Sequence, residues 1–399
     1  EGAGVEMSGG PDEGAGVEMM HPPPEAVQCI CEHLDAVLCV DFLPDVNSPM
    51  VAVSGGCDDV TMISNGADSS TIAKLEHHKE SVSAVAFCND GTMCASADLA
   101  GSITIIRQDG SILTILDGPD GGFEWLQWHP TGAALVAGAE DGTVWLWVIK
   151  KSGLKRTDTI PQEKACQHSI TFPSHPGPVP RGSFSPTGAN VVTICHEDSG
   201  VRLFDPRTGS MIAQRTGPDM FLRETVSPLC TLAVSEPGPG GAWLVYVGSE
   251  DGHVFVLKGS DLSVLHRFRP HMEPVECIKT IPRTPLVLTC SGDGSLAVLD
   301  MSSGKERLSK NLGAGGCTQI GVVPKSSFSY VGTAEGSVVC VNILSGEVVH
   351  VYEAQLGGAP VFCVAVPKHP ESAPYFAAGG DDGCVWVFPL WESIVAGTV

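Results

Sequence analysis

The stretch that decides the fold is Gly122–Trp147, which reads GFEWLQWHPTGAALVAGAEDGTVWLW. Three short apolar runs follow one another in it, Phe123–His129, Ala133–Gly138 and Thr143–Trp147, and turn residues separate them. Alternating apolar residues between Gly, Pro and Asp turns are the pattern of β-strands joined by hairpins. The stretch therefore predicts three strands in a row, and it serves as the template for the rest of the chain.

The same order of runs and turns recurs along the chain at a spacing of about 45 residues, a period typical of repeat folds. The third strand and the turn before it align eight times, as CDDVTMIS (57–64), LAGSITII (99–106), EDGTVWLW (140–147), EDSGVRLF (197–204), EDGHVFVL (250–257), GDGSLAVL (292–299), AEGSVVCV (334–341) and DDGCVWVF (381–388). Each unit thus supplies strands a, b and c and a variable strand d. Such units, packed radially, close a common core. We therefore expect an all-β propeller of eight blades, with seven as the alternative because the fourth and fifth repeats are long.

Three segments are expected along the chain. Residues 1–24 contain EGAGVEM twice and neither Lys nor Arg, which predicts a disordered acidic low-complexity tail. Residues 25–393 are expected to form a single propeller domain, and residues 394–399 a C-terminal tail. Within the domain, Glu25–Glu32 alternates like a strand and stands where a fourth strand belongs. We expect it to join the last blade beside Cys384–Phe388 and so to close the ring.

The composition favours a soluble binding protein in a reducing compartment. The net charge is 23 − 46 = −23, so the chain as a whole repels nucleic acid and anionic lipid and attracts basic partners. None of its apolar runs approaches the roughly 20 residues that span a bilayer. The 15 cysteines are odd in number and scattered, many of them inside apolar runs, which does not match a disulfide framework. We expect a cytoplasmic monomer, with the nucleus as a second location, that contacts neither membrane nor nucleic acid directly.

Turn residues and histidines give the repeats a family likeness. An Asp-Gly turn stands before four of the eight third strands, and several repeats open with a His: His33, His77 or His78, and His271. These features resemble the WD-repeat family of β-propellers, in which the turn Asp bonds the His of its repeat. An Asp in this turn also accepts backbone N–H bonds, which is a structural role. Ala100 and Glu335 depart from the pattern, so we expect the second and seventh blades to lack the His–Asp network.

Sequence patterns of catalysis and metal binding are weak. The chain has no G-x-S-x-G at a strand-to-helix turn and no G-x-x-x-x-G-K phosphate loop. Cys29, Cys31 and His33 form C-x-C-x-H, but no second ligand pair follows at zinc spacing. Residues i and i+2 of a strand share a face, so the two thiols are interpreted as packing groups. We therefore expect no catalytic residue, no metal, no cofactor and no convincing helix.

Acidic residues collect on one predicted rim of the propeller, where the b–c turns and the d–a connections emerge together. The structural role of the turn Asp explains one acid per blade, but five blades carry another acid beside it: Asp59, Glu140, Glu197, Glu250 and Asp381. The opposite rim is expected to hold the basic residues Lys150, Lys151, Lys155, Arg156, Arg207, Lys258, Arg283, Lys305 and Lys325. A negative field over a ring mouth suits an Arg- or Lys-rich segment, because Arg pairs with carboxylates through two parallel bonds.

The residues expected to contact such a partner are Asp35, Asp59, Glu80, Glu124, Trp125, Glu140, Asp141, Glu197, Glu224, Glu250, Asp251, Glu273, Asp293, Glu335, Asp381 and Asp382. Trp125 is expected to stack on an Arg of the partner, with burial in the core as the alternative. For the rim as a whole, the alternative is a solvated acidic surface without a specific ligand.

The template stretch carries a closer resemblance. Phe123–Pro130 and the following AGAEDGTVWLW look like the third repeat of the angio-associated migratory cell protein family, which includes a yeast ribosome-assembly protein. The resemblance implies a non-enzymatic chaperone. It would capture the basic N-terminal segment of a large-subunit ribosomal protein, called L-ten in yeast, on the acidic propeller face and deliver it for 60S assembly.

Two other classes of function remain open from the sequence. One is a general WD-repeat scaffold for signalling or trafficking complexes. The other is a propeller hydrolase or lactonase with a metal in its channel. Such an enzyme needs inward-pointing Glu, Asn, Asp or His side chains at the channel mouth, which the inner strands mostly lack.

Overall fold

The computed structural model describes residues 25–45, 50–150, 159–222, 226–313 and 315–391, together with residues 23, 47 and 396. The tail predicted at residues 1–24 and the tail predicted at residues 394–399 lie almost entirely outside these residues. The described strands form eight sheets of four strands each, and neighbouring strands pair antiparallel. Eight blades are therefore present, as the repeat count predicted.

Strand β1 (Gln28–Glu32) precedes the first complete blade. Blade 1 contains β2 (Val37–Phe42), β3 (Val51–Gly56), β4 (Thr61–Asn65) and β5 (Ser70–Leu75). Blade 2 contains β6 (Val82–Phe87), β7 (Met93–Asp98), β8 (Ser102–Arg107) and β9 (Ile112–Asp117). Blade 3 contains β10 (Phe123–Trp128), β11 (Ala134–Ala139), β12 (Val144–Ile149) and β13 (Cys166–Thr171). Blade 4 contains β14 (Arg181–Phe184), β15 (Val191–Ile194), β16 (Val201–Phe204) and β17 (Met211–Arg215).

The second half of the ring continues the pattern. Blade 5 contains β18 (Leu229–Val234), β19 (Leu244–Ser249), β20 (Val254–Lys258) and β21 (Val264–Phe268). Blade 6 contains β22 (Val275–Thr280), β23 (Leu286–Ser291), β24 (Ser295–Asp300) and β25 (Lys305–Asn311). Blade 7 contains β26 (Cys317–Val322), β27 (Phe328–Thr333), β28 (Ser337–Asn342) and β29 (Val348–Glu353). Blade 8 contains β30 (Val361–Ala365), β31 (Tyr375–Gly380) and β32 (Cys384–Pro389).

In the described part of the chain, Trp391 and Ala396 have helical backbone, and the other helical structure is confined to single turns. These are α1 (Gln162–Ala165), α2 (Gly217–Phe221) and two 3₁₀ turns at Pro239–Gly241 and Leu356–Gly358. The sequence predicted no convincing helix. The turns at Gly217–Phe221 and Leu356–Gly358 lie in connections between blades, where the chain must change direction before the next innermost strand.

The ring is closed by the strand that precedes the first blade. Strand β1 pairs antiparallel with β32, from Gln28 opposite Val387 to Glu32 opposite Cys384, and so completes the four strands of blade 8. The innermost strand of each blade contacts the innermost strand of the next, and β30 contacts β2 across the seam. The predicted closure by an N-terminal strand is thus confirmed, and it leaves strand β32 without an open edge.

Large side chains of one strand pack against small residues of the next. Trp125 on β10 lies over Gly138 on β11, where an added Cβ atom would come within 2.3 Å of its indole nitrogen. The ring also lies against Gly182 on β14, at 2.2 Å from the equivalent point. The small-residue run that precedes each turn in the sequence is therefore what allows neighbouring blades to approach.

Side chains of the innermost strands also link consecutive blades. The indole N–H of Trp125 donates to the carbonyl oxygen of Val179 at 2.9 Å, and Val179 lies two residues before strand β14 of blade 4. Five other blades make the equivalent bond to the next blade: Cys39 to Val82, Ser83 to Phe123, Cys230 to Val275, Thr318 to Val361 and Cys363 to Val37. These bonds satisfy backbone carbonyls that face the channel and fix the position of each blade against its neighbour.

Candidate functional site

One end of the channel is framed by the first residue of each b–c turn. The backbone N–H of Glu140 donates to the carbonyl of Gly122 at 2.9 Å, and that of Glu250 donates to Pro228 at 3.0 Å. In both blades the acceptor directly precedes the innermost strand. The same bond holds the other six first turn residues: Cys57, Leu99, His196, Gly292, Ala334 and Asp381. The first turn residues therefore surround one mouth of the channel, at the start of the innermost strands.

A second set of side chains reaches this mouth through β-bulges. In seven of the innermost strands the pairing register shifts after the first residue, so that one residue bulges out of the ladder. The bulge residues are Leu38, Ser83, Glu124, Cys230, Glu276, Thr318 and Phe362. Their chemistry differs from blade to blade, although their position in the fold is the same.

Carboxylates from three blades meet at this mouth around one arginine and one histidine. We call this group the mouth cluster, and it consists of Glu124, Glu140, Glu250, Glu276, Arg181 and His196. His196 Nε2 lies 3.1 Å from Glu250 Oε1, which joins blades 4 and 5. The guanidinium of Arg181 donates to the carbonyl of Pro180 at 3.0 Å and to that of Glu124 at 3.5 Å.

Of the two bulge carboxylates of the mouth cluster, Glu124 is half-buried and Glu276 is exposed. Burial raises the pKa of Glu124, the charge of Arg181 lowers it, and the charge of Glu140 raises it again. Burial likewise raises the pKa of Glu276, with Arg181 lowering it and Glu250 raising it. Glu124 and Glu276 thus share the charge of one guanidinium, and the four carboxylates and Arg181 together carry a formal charge of 1 − 4 = −3. A further cation placed there would stabilise the ionised form of both bulge carboxylates.

The turn Asp residues mostly serve the fold. Asp58 Oδ1 accepts from His33 Nδ1 at 2.8 Å, and the hydroxyl of Ser54 lies 2.8 Å from the other ring nitrogen. The same arrangement joins His78 to Asp98 at 2.9 Å. Blade 2 therefore has the His–Asp network, and the prediction that it lacks one is wrong. Asp98, at the end of β7, takes the role that Ala100 leaves vacant, and His78 rather than His77 is its partner.

The remaining blades vary this network. His271 Nδ1 lies 2.6 Å from Ser295 Oγ and 3.8 Å from Asp293 Oδ1. Blade 4 uses His175, which the sequence analysis missed, with its Nε2 2.8 Å from Thr193 Oγ1. Burial lowers the pKa of both His175 and His271 to about 4, so these histidines are neutral at pH 7. In blade 7 the equivalent contact is a hydroxyl pair, and the predicted absence of a His–Asp network there agrees with the structure.

The predicted contact residues fall into four groups. Those exposed are Asp35, Glu80, Glu140, Asp141, Glu197, Glu250, Glu273, Glu335 and Asp381. Those half-buried are Asp59, Glu124, Asp251, Asp293 and Asp382. Glu224 lies outside the described residues, and Trp125 is buried. Four of the turn Asp residues are occupied by bonds within their own blades: Asp141 with Thr143, Asp251 with His253, Asp293 with Ser295, and Asp382 with Trp386.

Trp125 does not have the role first expected for it. The side chain is 4% exposed, and its indole is engaged with Val179 and packed on two glycines. It cannot stack on a partner's Arg without leaving the core. Its burial, the alternative interpretation, is what the structure shows.

Three members of the mouth cluster escaped the sequence analysis. Glu276 is the second residue of its innermost strand, in VECIKT, as Glu124 is in FEWLQW. Aligning the innermost strands rather than the turns would have found it. Arg181 and His196 gave no such signal, because blade 4 has a longer turn and an innermost strand without the regular pattern.

The other end of the channel has a different character. Asp41 and Gln127 each accept a hydrogen bond from the backbone N–H of the last residue in the innermost strand of the next blade, Phe87 and Phe184 respectively. Lys368 Nζ lies 2.8 Å from Asn89 Oδ1 beside a cavity of about 290 Å³. Of the predicted basic residues on that side, Lys151, Lys155 and Arg156 lie outside the described residues.

Metal-binding and membrane-spanning features were searched for in the described residues alone. Within them, no three His, Cys, Asp or Glu side chains stand close enough together to hold a metal ion. Likewise, none of the helices in that part of the chain has the length and hydrophobicity of a membrane span.

Comparison with known proteins places these features in a wider context. Residues 69–106, 110–148 and 262–300 match the WD40 family model, described as "WD domain, G-beta repeat". The chain is 26% identical over 286 residues to angio-associated migratory cell protein from Homo sapiens and from Canis lupus familiaris. The alignment covers 68% of this chain but 60% of each relative, so the chain spans less than two thirds of the length of the relatives it matches.

Solved structures share the architecture. The crystal structure of Chaetomium thermophilum Sqt1 bound to the N-terminus of the ribosomal protein L10 matches with a TM-score of 0.78 and 20% identity, over 92% of this chain and 99% of that one. Saccharomyces cerevisiae Sqt1 matches with a TM-score of 0.79 and 18% identity, over 93% and 100%. At these identities the likeness concerns the fold. The chain is therefore an eight-bladed β-propeller built from WD40 repeats, similar in sequence to angio-associated migratory cell protein and in fold to Sqt1.

Proposed function

We propose that this chain is a non-enzymatic chaperone that holds the basic N-terminal segment of a large-subunit ribosomal protein over the channel mouth and delivers it for 60S assembly. The observation that carries the proposal is the mouth cluster, which brings together four carboxylates from three blades, two of which, Glu124 and Glu276, share the charge of Arg181. The fold match to Sqt1 bound to a ribosomal protein N-terminus supports the same assignment.

The chemistry of the mouth suits arginine side chains. Glu124 and Glu276 lie on the innermost strands, and Glu124 is half-buried, so a cation that reaches it interacts through a lower effective dielectric than at an open surface. A guanidinium pairs with carboxylates through parallel hydrogen bonds and is weakly hydrated, which reduces the cost of entering such a site. The carboxylates would stand in for rRNA phosphates until the segment is handed over, and the handover belongs in the cytoplasm or nucleus.

The test is a charge reversal at the mouth. Glu140, Glu197, Glu250 and Asp381 are changed together to Lys, and binding to an Arg-rich ribosomal N-terminal peptide is measured by calorimetry. We expect the affinity to fall by about a hundredfold or more, because attraction becomes repulsion at four positions.

The matched control changes the net charge by the same amount elsewhere. Glu163, Glu306, Glu347 and Glu371 are exposed carboxylates in or beside the c–d and a–b connections, at the opposite end of the strands, and we expect their reversal to Lys to leave most of the affinity intact. Unchanged binding in the mouth variant, with a normal melting temperature, would overturn the proposed function. Equal losses in both variants would show that net charge rather than a site governs the binding.

A further inference from the structure

The channel mouth has an apolar side as well as an acidic one. The bulge residue is acidic in blades 3 and 6, but it is Phe362 in blade 8 and Leu38 in blade 1. Leu99 occupies the first turn position of blade 2, where blades 3 and 5 have glutamates. In a ring of eight, blades 8, 1 and 2 stand across the channel from blades 4, 5 and 6. Phe362 and Leu38 therefore face Arg181, His196 and Glu250 over the opening, whereas Leu99 lies beside Gly122 of blade 3, next to Glu124 and Glu140.

These apolar side chains are unusually open to water for their size. Leu99 is 44% exposed, Phe362 is 36% exposed, and Leu34, just before strand β2, is 90% exposed. Phe362 and Leu38 stand at bulge positions where other blades have Ser83, Thr318 and Glu276, and Leu99 stands at the turn position where others have Glu140, Glu250 and Asp381. The propeller therefore does not require an apolar residue at these places, and a group of them on one side of the mouth indicates contact with a partner.

Acids border the apolar group and restrict what can cover it. Asp381, the first turn residue of blade 8, and Asp35 are both exposed. Burial is the largest cause of the raised pKa of the nearby Cys57 thiol, and the charges of Asp35 and Asp381 raise it further. An anionic membrane surface or an acidic partner would be repelled there. A peptide that carries both cations and an apolar side chain satisfies the two halves of the mouth at once.

We infer that the mouth binds one extended segment that combines an Arg- or Lys-rich run with a single large apolar anchor, Phe or Leu. The basic run lies on the mouth cluster, and the anchor packs against Phe362 and Leu38 across the channel, with Leu99 at the border between this apolar group and blade 3. This inference rests on the proposed function and adds to it the requirement for the anchor. Charge then attracts the segment, and the anchor selects among basic segments and slows its release.

The test compares peptides that differ only in the anchor. Each has about ten residues, since an extended chain of that length reaches roughly 33 Å. Each carries an arginine run, with Phe at the N-terminal or the C-terminal end, or Ser at the same place. We expect one Phe peptide to bind the wild-type chain about tenfold more tightly than its Ser counterpart, as burial of an aromatic side chain predicts. The advantage should persist at high salt, where charge attraction is screened.

Variants assign the advantage to the apolar side. The double variant Phe362→Ala/Leu99→Ala should bind the Phe and Ser peptides equally. The variant Glu140→Gln/Glu250→Gln should bind both more weakly and keep the ratio between them. A control on the outer strands, Leu265→Ala/Val351→Ala, removes two similarly exposed apolar side chains on β21 and β29 and should change neither affinity nor ratio.

The outcomes separate this inference from the proposed function. Equal affinity of the Phe and Ser peptides for the wild-type chain, with both bound, would overturn the inference and leave the proposed function standing. An advantage that survives in the Phe362→Ala/Leu99→Ala variant would also overturn it, because the anchor would then lie elsewhere. Failure of every peptide to bind would overturn both.

Discussion

The pair of His78 and Asp98 shows how a single buried contact shapes one blade. Both side chains are inaccessible to water, and Asp98 also accepts from the backbone and hydroxyl of Ser102. Burial alone would raise the pKa of Asp98, but the hydrogen bonds from His78 and Ser102 outweigh it, and the pKa falls from 3.8 to about 2. The ionised carboxylate is thus part of the folded state of the b–c turn in blade 2.

A pH dependence of stability follows from Asp98. Its pKa is lower in the folded than in the unfolded chain, so its contribution is present above the unfolded value and is lost as the pH falls from 3.8 to about 2. The shift corresponds to roughly 2 kcal/mol. We expect the stability difference between wild type and Asp98→Asn to shrink over this interval in urea unfolding curves. The control is Glu306→Gln, which removes an exposed carboxylate on β25. Its stability difference from wild type should not reproduce the change with pH that is expected for Asp98→Asn. A wild-type advantage that stayed constant down to pH 2 would contradict the assignment.

At the scale of the element, strand β1 closes the ring. It is the fourth strand of blade 8, although the rest of that blade follows it by more than three hundred residues. Ile30 at its centre is 2% exposed and packs with Val37, Val387 and other residues of blades 8 and 1, whereas Val27 just before the strand is 52% exposed. Ile30 thus anchors β1 in an apolar cluster that spans the junction of blades 8 and 1, and a ladder of backbone hydrogen bonds joins β1 to β32.

Ile30→Ala tests the seam. The change removes buried apolar volume at the junction of the first and last blades, and we expect a loss of roughly 2–4 kcal/mol in the free energy of unfolding. Thermal melting followed by circular dichroism gives the comparison, with Val27→Ala as a neighbouring control that should be nearly neutral. Similar melting temperatures for the two variants would show that β1 is not essential to the ring.

The strands and turns were predictable from the sequence, but the composition of the site was only partly so. Alternation and Asp-Gly turns are local signals, and they identified eight units and the closing strand. The mouth cluster is assembled from bulge and turn residues more than a hundred positions apart, such as Glu124 and Glu276, and nothing local marks them as neighbours. The prediction that Trp125 stacks on a partner's Arg was wrong for a similar reason, because the burial of Trp125 depends on Gly182 in the next blade.

At the scale of the whole molecule, charge is the dominant property. The chain carries a net charge of −23, and a concave mouth lined with carboxylates concentrates the resulting field. A basic segment is therefore attracted before any specific contact forms. Local pairing at the mouth cluster and long-range attraction by the remaining surface contribute separately, and ionic strength distinguishes them.

We expect the association rate of an Arg-rich peptide to fall about tenfold or more between roughly 50 and 500 mM salt, because long-range attraction is screened within a few ångströms at high salt. Stopped-flow fluorescence gives the rate, and the dissociation rate should change less. In the variant with Glu140, Glu197, Glu250 and Asp381 changed to Lys, the slope should be flatter or reversed. An association rate that is independent of salt in the wild-type chain would argue against electrostatic capture.

The matched segments 69–106, 110–148 and 262–300 each run from strand d of one blade through strand c of the next. The sequence repeat is therefore offset from the structural blade by one strand. If a duplication adds one repeat, or a deletion removes one, the two ends of the chain still bring complementary parts of a single blade to the seam. The number of blades can therefore change by whole repeats during evolution without leaving an unpaired strand. An eight-bladed propeller can descend from a seven-bladed one with the pairing that closes the ring unchanged.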